Sequence, residues 1–129
     1  FDKALEINPN SDYALANKGT LLGMLGKHEE ALECFDKALE INPNSDYALA
    51  NKGTLLGMLG KHEEALECFD KALEINPNSD YALANKGNSL GKQGRHEEAL
   101  EFFEKALEIN PNNGHALNGI TSALMNMAD

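Results

Sequence analysis

The sequence predicts an all-α solenoid of stacked helical hairpins, and three observations support this fold class. Residues 11–44 recur letter for letter at 45–78 and recur again, with a few changes, at 79–112. Each copy holds two stretches of helical character separated by a glycine, and each copy ends at a proline. A fixed period of 34 residues is typical of one supersecondary unit that buries its apolar surface by stacking on its neighbours.

The first half of each copy predicts a helix, called helix A below. In the first copy Asn10 or Ser11 can cap this helix. Asp12 places a negative charge in the first turn, where the helix dipole favours it. We expect helix A over Tyr13–Leu25, with Gly26 ending it in a left-handed conformation.

The second half of each copy predicts helix B, which follows Lys27 and His28. Its apolar residues recur at i, i+1, i+4, i+7 and i+8, which places them on one helical face: Ala31, Leu32, Phe35, Ala38 and Leu39. Pro43 ends the helix. Because a single hairpin cannot bury this face alone, the hairpins are expected to stack.

Gly19 lies inside helix A and returns as Gly53 and Gly87. A glycine in a helix interior costs about 1 kcal/mol relative to alanine. We therefore expect these glycines to allow close contact with the Phe35 type of side chain or with the backbone of helix B.

The two cysteines, Cys34 and Cys68, lie one period apart, and the third copy has Phe102 in their place. Stacked units separate equivalent atoms by roughly 10 Å, which is beyond the reach of a disulfide. We expect both to be packing groups with free thiols, which are typical of a reducing, cytoplasmic location.

Five positions repeated in every copy match a known signature: Gly19, Ala31, Phe35, Ala38 and Pro43. On these residues the chain resembles the tetratricopeptide repeat family over essentially its whole length. The family's large aromatic residue near the start of helix A is Leu15 here, and its tyrosine one turn later is Leu22.

The resemblance implies a right-handed α-solenoid that forms a single array over residues 1–129. Residues 1–10 would be a partial repeat with helix B only. Residues 11–44, 45–78 and 79–112 would be full repeats, and residues 113–129 a capping or helix-A-like segment.

The resemblance also implies a concave groove lined by the A helices, with the B helices outside. The implied peptide-binding positions are Tyr13, Asn17, Thr20 and Met24, then Tyr47, Asn51, Thr54 and Met58, then Tyr81, Asn85, Asn88 and Lys92. The resemblance also places two sets of small residues on this surface: Ala16, Ala50 and Ala84, and Gly23, Gly57 and Gly91.

Asn17, Asn51 and Asn85 would form a ladder of amides whose donors and acceptor match a peptide unit. Two other interpretations remain open. Asparagine is common at this position of the family whatever the ligand, and the tyrosines can simply cover neighbouring helices.

Charge narrows the class of partner. The chain carries a net charge of −10, which disfavours nucleic acids and anionic membranes. No stretch of the sequence is apolar enough to cross a membrane. In the first copy, helix A sums to zero while helix B carries five acidic residues and one lysine, a sum of −4. The acidity is therefore expected outside and the groove nearly neutral.

No catalytic motif, phosphate-binding loop or zinc-ligand spacing occurs in the sequence. His28, His62 and His96 return at the hairpin turn and are expected to be half-buried packing groups. We expect no enzyme activity, no cofactor and no metal. Some family members clamp a carboxylate with Lys, Arg and Asn; here the matching basic positions are Tyr and Ala, which disfavours chaperone tails.

Two functions follow. The first is a protein-interaction module that holds an extended peptide segment of a partner protein in the groove. The alternative is a structural spacer or self-associating scaffold without a groove ligand. Residues 1–8 would be a helix B without a helix A, and residues 114–127 a helix A without a helix B, so head-to-tail stacking of molecules is possible.

Overall fold

The computed structural model describes residues 11–128, which form a succession of α-helices joined by short turns. The helices are α1 (Asp12–Met24), α2 (His28–Ile41), α3 (Asp46–Met58), α4 (His62–Ile75), α5 (Asp80–Lys92), α6 (His96–Ile109) and α7 (Gly114–Met127). The partial repeat expected at residues 1–10 lies outside the described residues. Within residues 11–128 no helix is both long and apolar enough to span a bilayer.

The A helices are α1, α3, α5 and α7, and α1 begins one residue earlier than the sequence predicted. Ser11 is the cap of α1, because its Oγ accepts a hydrogen bond from the Ala14 N–H at 3.2 Å. Ser45 and Ser79 cap α3 and α5 in the same way. Satisfying a free N–H at the first turn is what fixes where each of these helices starts.

The first three A helices are each ended by a glycine, as predicted. Gly26, Gly60 and Gly94 have φ near +83°, +82° and +83°, a conformation that other residues rarely adopt. After α1 the Lys27 N–H donates to the Leu22 carbonyl at 2.9 Å, and the Gly26 N–H donates to the Gly23 carbonyl at 3.1 Å. This pair of bonds is the Schellman arrangement, which turns the chain into the following B helix.

The core of each hairpin is a phenylalanine ring seated on a glycine of the A helix. A Cβ built on Gly19 would lie 2.9 Å from Cε1 of Phe35, and one on Gly53 would lie 2.7 Å from Cε1 of Phe69. Phe35 is 1% exposed. The predicted close contact between the repeated glycine and the Phe35 type of ring is confirmed.

The hairpins stack so that the A helices lie on the inner side of the curve. Each of α1, α3 and α5 contacts its own B helix and the next A helix, and each B helix contacts the next A helix. Within residues 11–128 no two B helices bring their Cα atoms within 8 Å of each other. The B helices are therefore splayed apart on the outside, and the all-α solenoid predicted from the repeat is confirmed.

Both cysteines are free, with Cys68 buried and Cys34 half-buried on their B helices. Burial raises the pKa of both thiols above the ordinary value. In the third copy the ring of Phe102 takes this place, with Nζ of Lys86 lying 4.2 Å and Nζ of Lys105 4.8 Å from its centroid. The position is a packing site, as the sequence predicted.

Candidate functional site

The three tyrosines of the predicted groove lie in the first turns of α1, α3 and α5, and each leaves more than a third of its surface open. Tyr13 is 62% exposed and stacks on Tyr47, with ring centroids 5.1 Å apart and an interplanar angle of 22°. Tyr47 and Tyr81 are 38% and 37% exposed. The aromatic column therefore links neighbouring repeats while leaving much of its surface open.

The asparagine ladder is tied into this column by hydrogen bonds. The Tyr47 hydroxyl donates to Oδ1 of Asn17 at 2.6 Å, and the Tyr81 hydroxyl donates to Oδ1 of Asn51 at 3.1 Å. The Asn51 amide donates in turn to the Tyr47 carbonyl at 2.9 Å. Each of these two asparagines thus has its acceptor engaged by the tyrosine of the next repeat.

Burial raises the pKa of Tyr47, and the neighbouring Tyr13 and Tyr81 hydroxyls raise it further. Its phenol therefore stays protonated at neutral pH and remains a donor to Asn17. The bond between these two side chains persists over the pH range in which proteins normally work.

Asn85 is the exception in the ladder. It is 9% exposed, and its amide donates to the Tyr81 carbonyl at 2.9 Å. No tyrosine follows it, because the equivalent position of α7 is His115. The three asparagines are therefore not equivalent, which the sequence repeat did not predict.

Thr20 and Thr54 turn their hydroxyls back onto their own helices, donating to the carbonyls of Ala16 at 3.1 Å and Ala50 at 3.0 Å. Both threonines and the exposed Met24 and Met58 belong to a pocket of about 110 Å³ between α1 and α3. The residues around this pocket are Gly19, Thr20, Gly23, Met24, Phe35, Asn51, Thr54, Leu55, Met58 and Tyr81. No charged residue lines it.

Asn88 and Lys92 lie away from this pocket and line another, of about 330 Å³, between α5 and α7. Its other residues are Gly91, His96, Phe103, Gly119, Ser122, Ala123 and Asn126. The contribution of α7 was not predicted from the sequence. Extending the 34-residue period from Asn88 and Lys92 leads to Ser122 and Asn126, so the signal was present in the repeat.

The prediction that Ala16, Ala50 and Ala84 lie on the groove surface is wrong. Ala16 and Ala84 are 0% exposed and Ala50 is 3% exposed. Their small side chains lie between packed helices, because neighbouring helices of the stack approach closely there. They set the spacing of the groove wall instead of forming its surface.

The lysines of α3 and α5 each pair with an aspartate of the preceding B helix. Lys52 pairs with Asp36 at 2.7 Å, and Lys86 pairs with Asp70 at 2.5 Å. Neither lysine lines the uncharged pocket between α1 and α3.

The three repeated histidines are half-buried, as predicted, and the Nδ1 atoms of His28, His62 and His96 are buried without a hydrogen-bond partner. No group of three or more His, Cys, Asp or Glu side chains within residues 11–128 is arranged to hold a metal ion.

The family model of the tetratricopeptide repeat matches residues 11–78 and, in an overlapping match, residues 45–112. The chain belongs to the tetratricopeptide repeat family. No curated protein sequence matches this tetratricopeptide array.

Solved structures share the fold of the array. The first tetratricopeptide domain of Spaghetti (RPAP3), bound to the HSP90 peptide SRMEEVD, is 25% identical with a TM-score of 0.85, and the match covers 92% of this chain and 94% of that domain. The first such domain of human RPAP3 is 26% identical with a TM-score of 0.87, covering 94% and 95%. A structure of Pseudomonas aeruginosa pilF is 26% identical with a TM-score of 0.85; the match covers 98% of this chain and 58% of pilF.

Proposed function

We propose that this tetratricopeptide array is a protein-interaction module that binds an extended segment of a partner protein along the A helices. The observation that carries the proposal is the uncharged pocket between α1 and α3, which opens beside the Asn51 amide. Apolar pockets with a few placed polar groups are typical of binding sites.

The dimensions of the groove suit an extended chain. Neighbouring A helices pack roughly 10 Å apart, and an extended chain advances about 3.3 Å per residue. The ladder would therefore meet a bound peptide at about every third residue. Met24 and Met58, which are 78% and 61% exposed, offer adaptable apolar contacts for side chains between those points.

The likeness to a domain bound to an HSP90 peptide supports a peptide as the class of ligand. That peptide, SRMEEVD, is acidic towards its C-terminus. In the first two repeats of this chain the groove pocket carries no lysine or arginine. We therefore propose a mainly apolar, extended peptide as the ligand in place of an acidic tail.

We further propose that the module acts without catalysis or a cofactor and that its partner is a protein. The net charge of −10 disfavours a nucleic-acid partner, because nucleic-acid binding needs a basic surface.

The test is a triple substitution of the ladder, Asn17→Ala, Asn51→Ala and Asn85→Ala, on the whole chain. Peptides are first selected from a display library against the unaltered protein. Losing up to three hydrogen bonds worth about 0.5–1.5 kcal/mol each should weaken their binding about tenfold or more, while the helical circular dichroism signal persists. A matched triple on the outer face, Glu33→Gln, Glu67→Gln and Glu101→Gln, should leave the affinity unchanged. Equal affinity of the ladder variant would remove the ladder from the proposal.

A second candidate, a self-associating scaffold, is favoured by one observation. Leu117 and Leu124 of α7 are 49% and 53% exposed, whereas Leu49 and Leu56, at the same places in α3, are 6% and 3% exposed. Inside the array a B helix packs against this face. A B helix from another molecule could therefore cover it, in a head-to-tail stack.

A further inference from the structure

The pocket between α5 and α7 occupies the same place in the repeat as the pocket between α1 and α3. Asn88 and Lys92 stand two 34-residue periods after Thr20 and Met24. The residues supplied by α7 stand two periods after those supplied by α3. The chain therefore contains two versions of one groove pocket, and their differences can be compared position by position.

The two versions share a glycine and a phenylalanine but differ in chemistry at most of their other positions. Lys92 replaces Met24, and Asn126 replaces Met58. Ala123 replaces Leu55, which removes apolar volume, and the pocket enlarges from about 110 Å³ to about 330 Å³. A small apolar pocket has become a larger one with a mixed polar and apolar lining.

The polar groups of the pocket between α5 and α7 suit an anion. Lys92 lines the pocket and, like several lysines of the outer surface, forms no ion pair among residues 11–128. No aspartate or glutamate lines the pocket, although the chain as a whole carries a charge of −10. An unpaired cation in such a chain attracts negative charge to that point of the groove.

Neutral donors accompany the cation. The Asn88 amide and the Ser122 hydroxyl line the same pocket, and neither side chain forms a hydrogen bond among the described residues. The Asn126 amide is already used, because it donates to the Ser122 carbonyl at 2.9 Å. One ammonium group, one amide and one hydroxyl are donors that suit a carboxylate.

We propose that the groove recognises two side chains of one bound segment: an apolar one in the pocket between α1 and α3, and an aspartate or glutamate in the pocket between α5 and α7. The proposal rests on the proposed peptide binding and adds the chemistry of the peptide. Two helix spacings of roughly 10 Å separate the pockets, so the two side chains stand about six residues apart in an extended chain.

The test is a selection of random displayed peptides for binding to the whole protein. Each peptide is about twice as long as the spacing between the pockets and is fused at its C-terminus, so that it has no free terminal carboxylate. Because the fusion removes the terminal carboxylate, any acidic preference must come from a side chain. The expected result is enrichment of an apolar residue and, about six positions away, an aspartate or glutamate. In a synthetic copy, changing that acid to its amide should weaken binding about two- to fivefold, the range of a partly exposed ion pair.

The decisive variant is Lys92→Met, which restores the residue of the first two copies and should fold equally well. When K92M is the target of the same peptide selection, the enriched peptides should keep the apolar residue and lose the preference for an acid. The control Lys71→Met changes the charge equally on the exposed face of α4 and should keep both preferences. An unchanged acidic preference in K92M, or peptides that lack an acid at that spacing, would overturn the proposal.

Failure of this proposal can be told apart from failure of the proposed function. If peptides are enriched and depend on the asparagine ladder but carry no acid, only the two-pocket hypothesis is wrong. If no peptide is enriched against the unaltered chain, both are wrong.

Discussion

At the scale of single residues, the tyrosine hydroxyls decide how much of the asparagine ladder is available. The Tyr47 and Tyr81 hydroxyls hold Oδ1 of Asn17 and Asn51. A peptide N–H that needs one of these acceptors must displace a hydroxyl first. The cost of that exchange is a property of the free protein, so it can be measured by removing the hydroxyls.

The first prediction is that Tyr47→Phe with Tyr81→Phe strengthens peptide binding about two- to tenfold, the equivalent of one hydrogen bond no longer broken on binding. Titration calorimetry with a selected peptide measures the change. Tyr13→Phe is the matched control, since the Tyr13 hydroxyl forms no hydrogen bond among the described residues, and it should have no effect. Weaker binding by the double variant would mean that the hydroxyls contact the peptide themselves.

The sequence predicted the contacts that lie within one hairpin but not those that depend on the offset between hairpins. The pairing of Gly19 with Phe35 is predictable, because a glycine that weakens its own helix is tolerated where a large ring must come close. The bond between Tyr47 and Asn17 joins residues 30 apart and depends on how far one A helix slides along the next. Periodicity alone contains no information about that offset.

At the scale of helices, the glycines of α3 separate two roles. Gly53 lies under the Phe69 ring, where an added Cβ would come within 2.7 Å of Cε1. Gly57, one turn later, has room: an added Cβ would lie 3.5 Å from Oγ of Ser89 and 4.0 Å from Cβ of Ala65. The same substitution at the two positions should therefore have opposite effects.

The second prediction is that Gly53→Ala lowers the free energy of unfolding by about 1–3 kcal/mol through overpacking. Gly57→Ala, its matched control, should raise that free energy by up to about 1 kcal/mol, since alanine is the better helix former. Urea unfolding followed by circular dichroism compares them. Equal effects at the two positions would contradict the seating of the ring on Gly53.

The third prediction concerns pH. The Asn110 amide donates to Oδ2 of Asp80 at 3.0 Å, and the Asn113 amide donates to the same oxygen at 2.9 Å. These hydrogen bonds, chiefly the one from Asn110, hold the pKa of the Asp80 carboxyl below its usual value, although burial acts in the opposite direction. A pKa that is lower in the folded protein means that the Asp80 carboxylate stabilises the folded state. This contribution to the free energy of unfolding is complete above the unfolded pKa of about 3.9 and disappears as the pH falls through the lower folded pKa.

The Asp80→Asn variant should therefore have a lower melting temperature than the unaltered protein at neutral pH. The difference between the two melting temperatures should vanish in strong acid. Thermal melts at a series of pH values from neutral to strongly acidic follow it, with the exposed Glu104→Gln as a control that shows no such trend. A melting difference that stays constant into strong acid would contradict the role assigned to the Asp80 carboxylate.

The last helix shows where the repeat stops predicting the fold. Gly119 of α7 occupies the repeat position held by Asn51 and Asn85 in the earlier copies. A Cβ added at Gly119 would collide with the Phe103 ring. Thr121 stands in the register of the glycine that accepts the ring in the other hairpins. The helix itself was predicted, but its contact with Phe103 was not, because the sequence of α7 departs from the repeat at these two positions.

At the scale of the whole molecule, the exposed face of α7 makes association between molecules the fourth prediction. Light scattering should show a mean mass that rises with concentration into the millimolar range. Leu117→Gln with Leu124→Gln should abolish the rise by making the face polar, while helicity is retained. A strictly monomeric mass at millimolar concentration would remove the scaffold function.

The central claim is that the inner, A-helix face of the array holds the partner. A selected peptide carrying a photoreactive side chain at its apolar position tests this claim most directly. Trypsin separates residues 19–27 of helix A from residues 28–37 of helix B, and fragment-ion spectra place a cross-link within the peptide 38–52, which spans the end of a B helix and the start of the next A helix. Cross-links confined to the A-helix fragments are the expected result, and cross-links concentrated on the B helices would contradict the account.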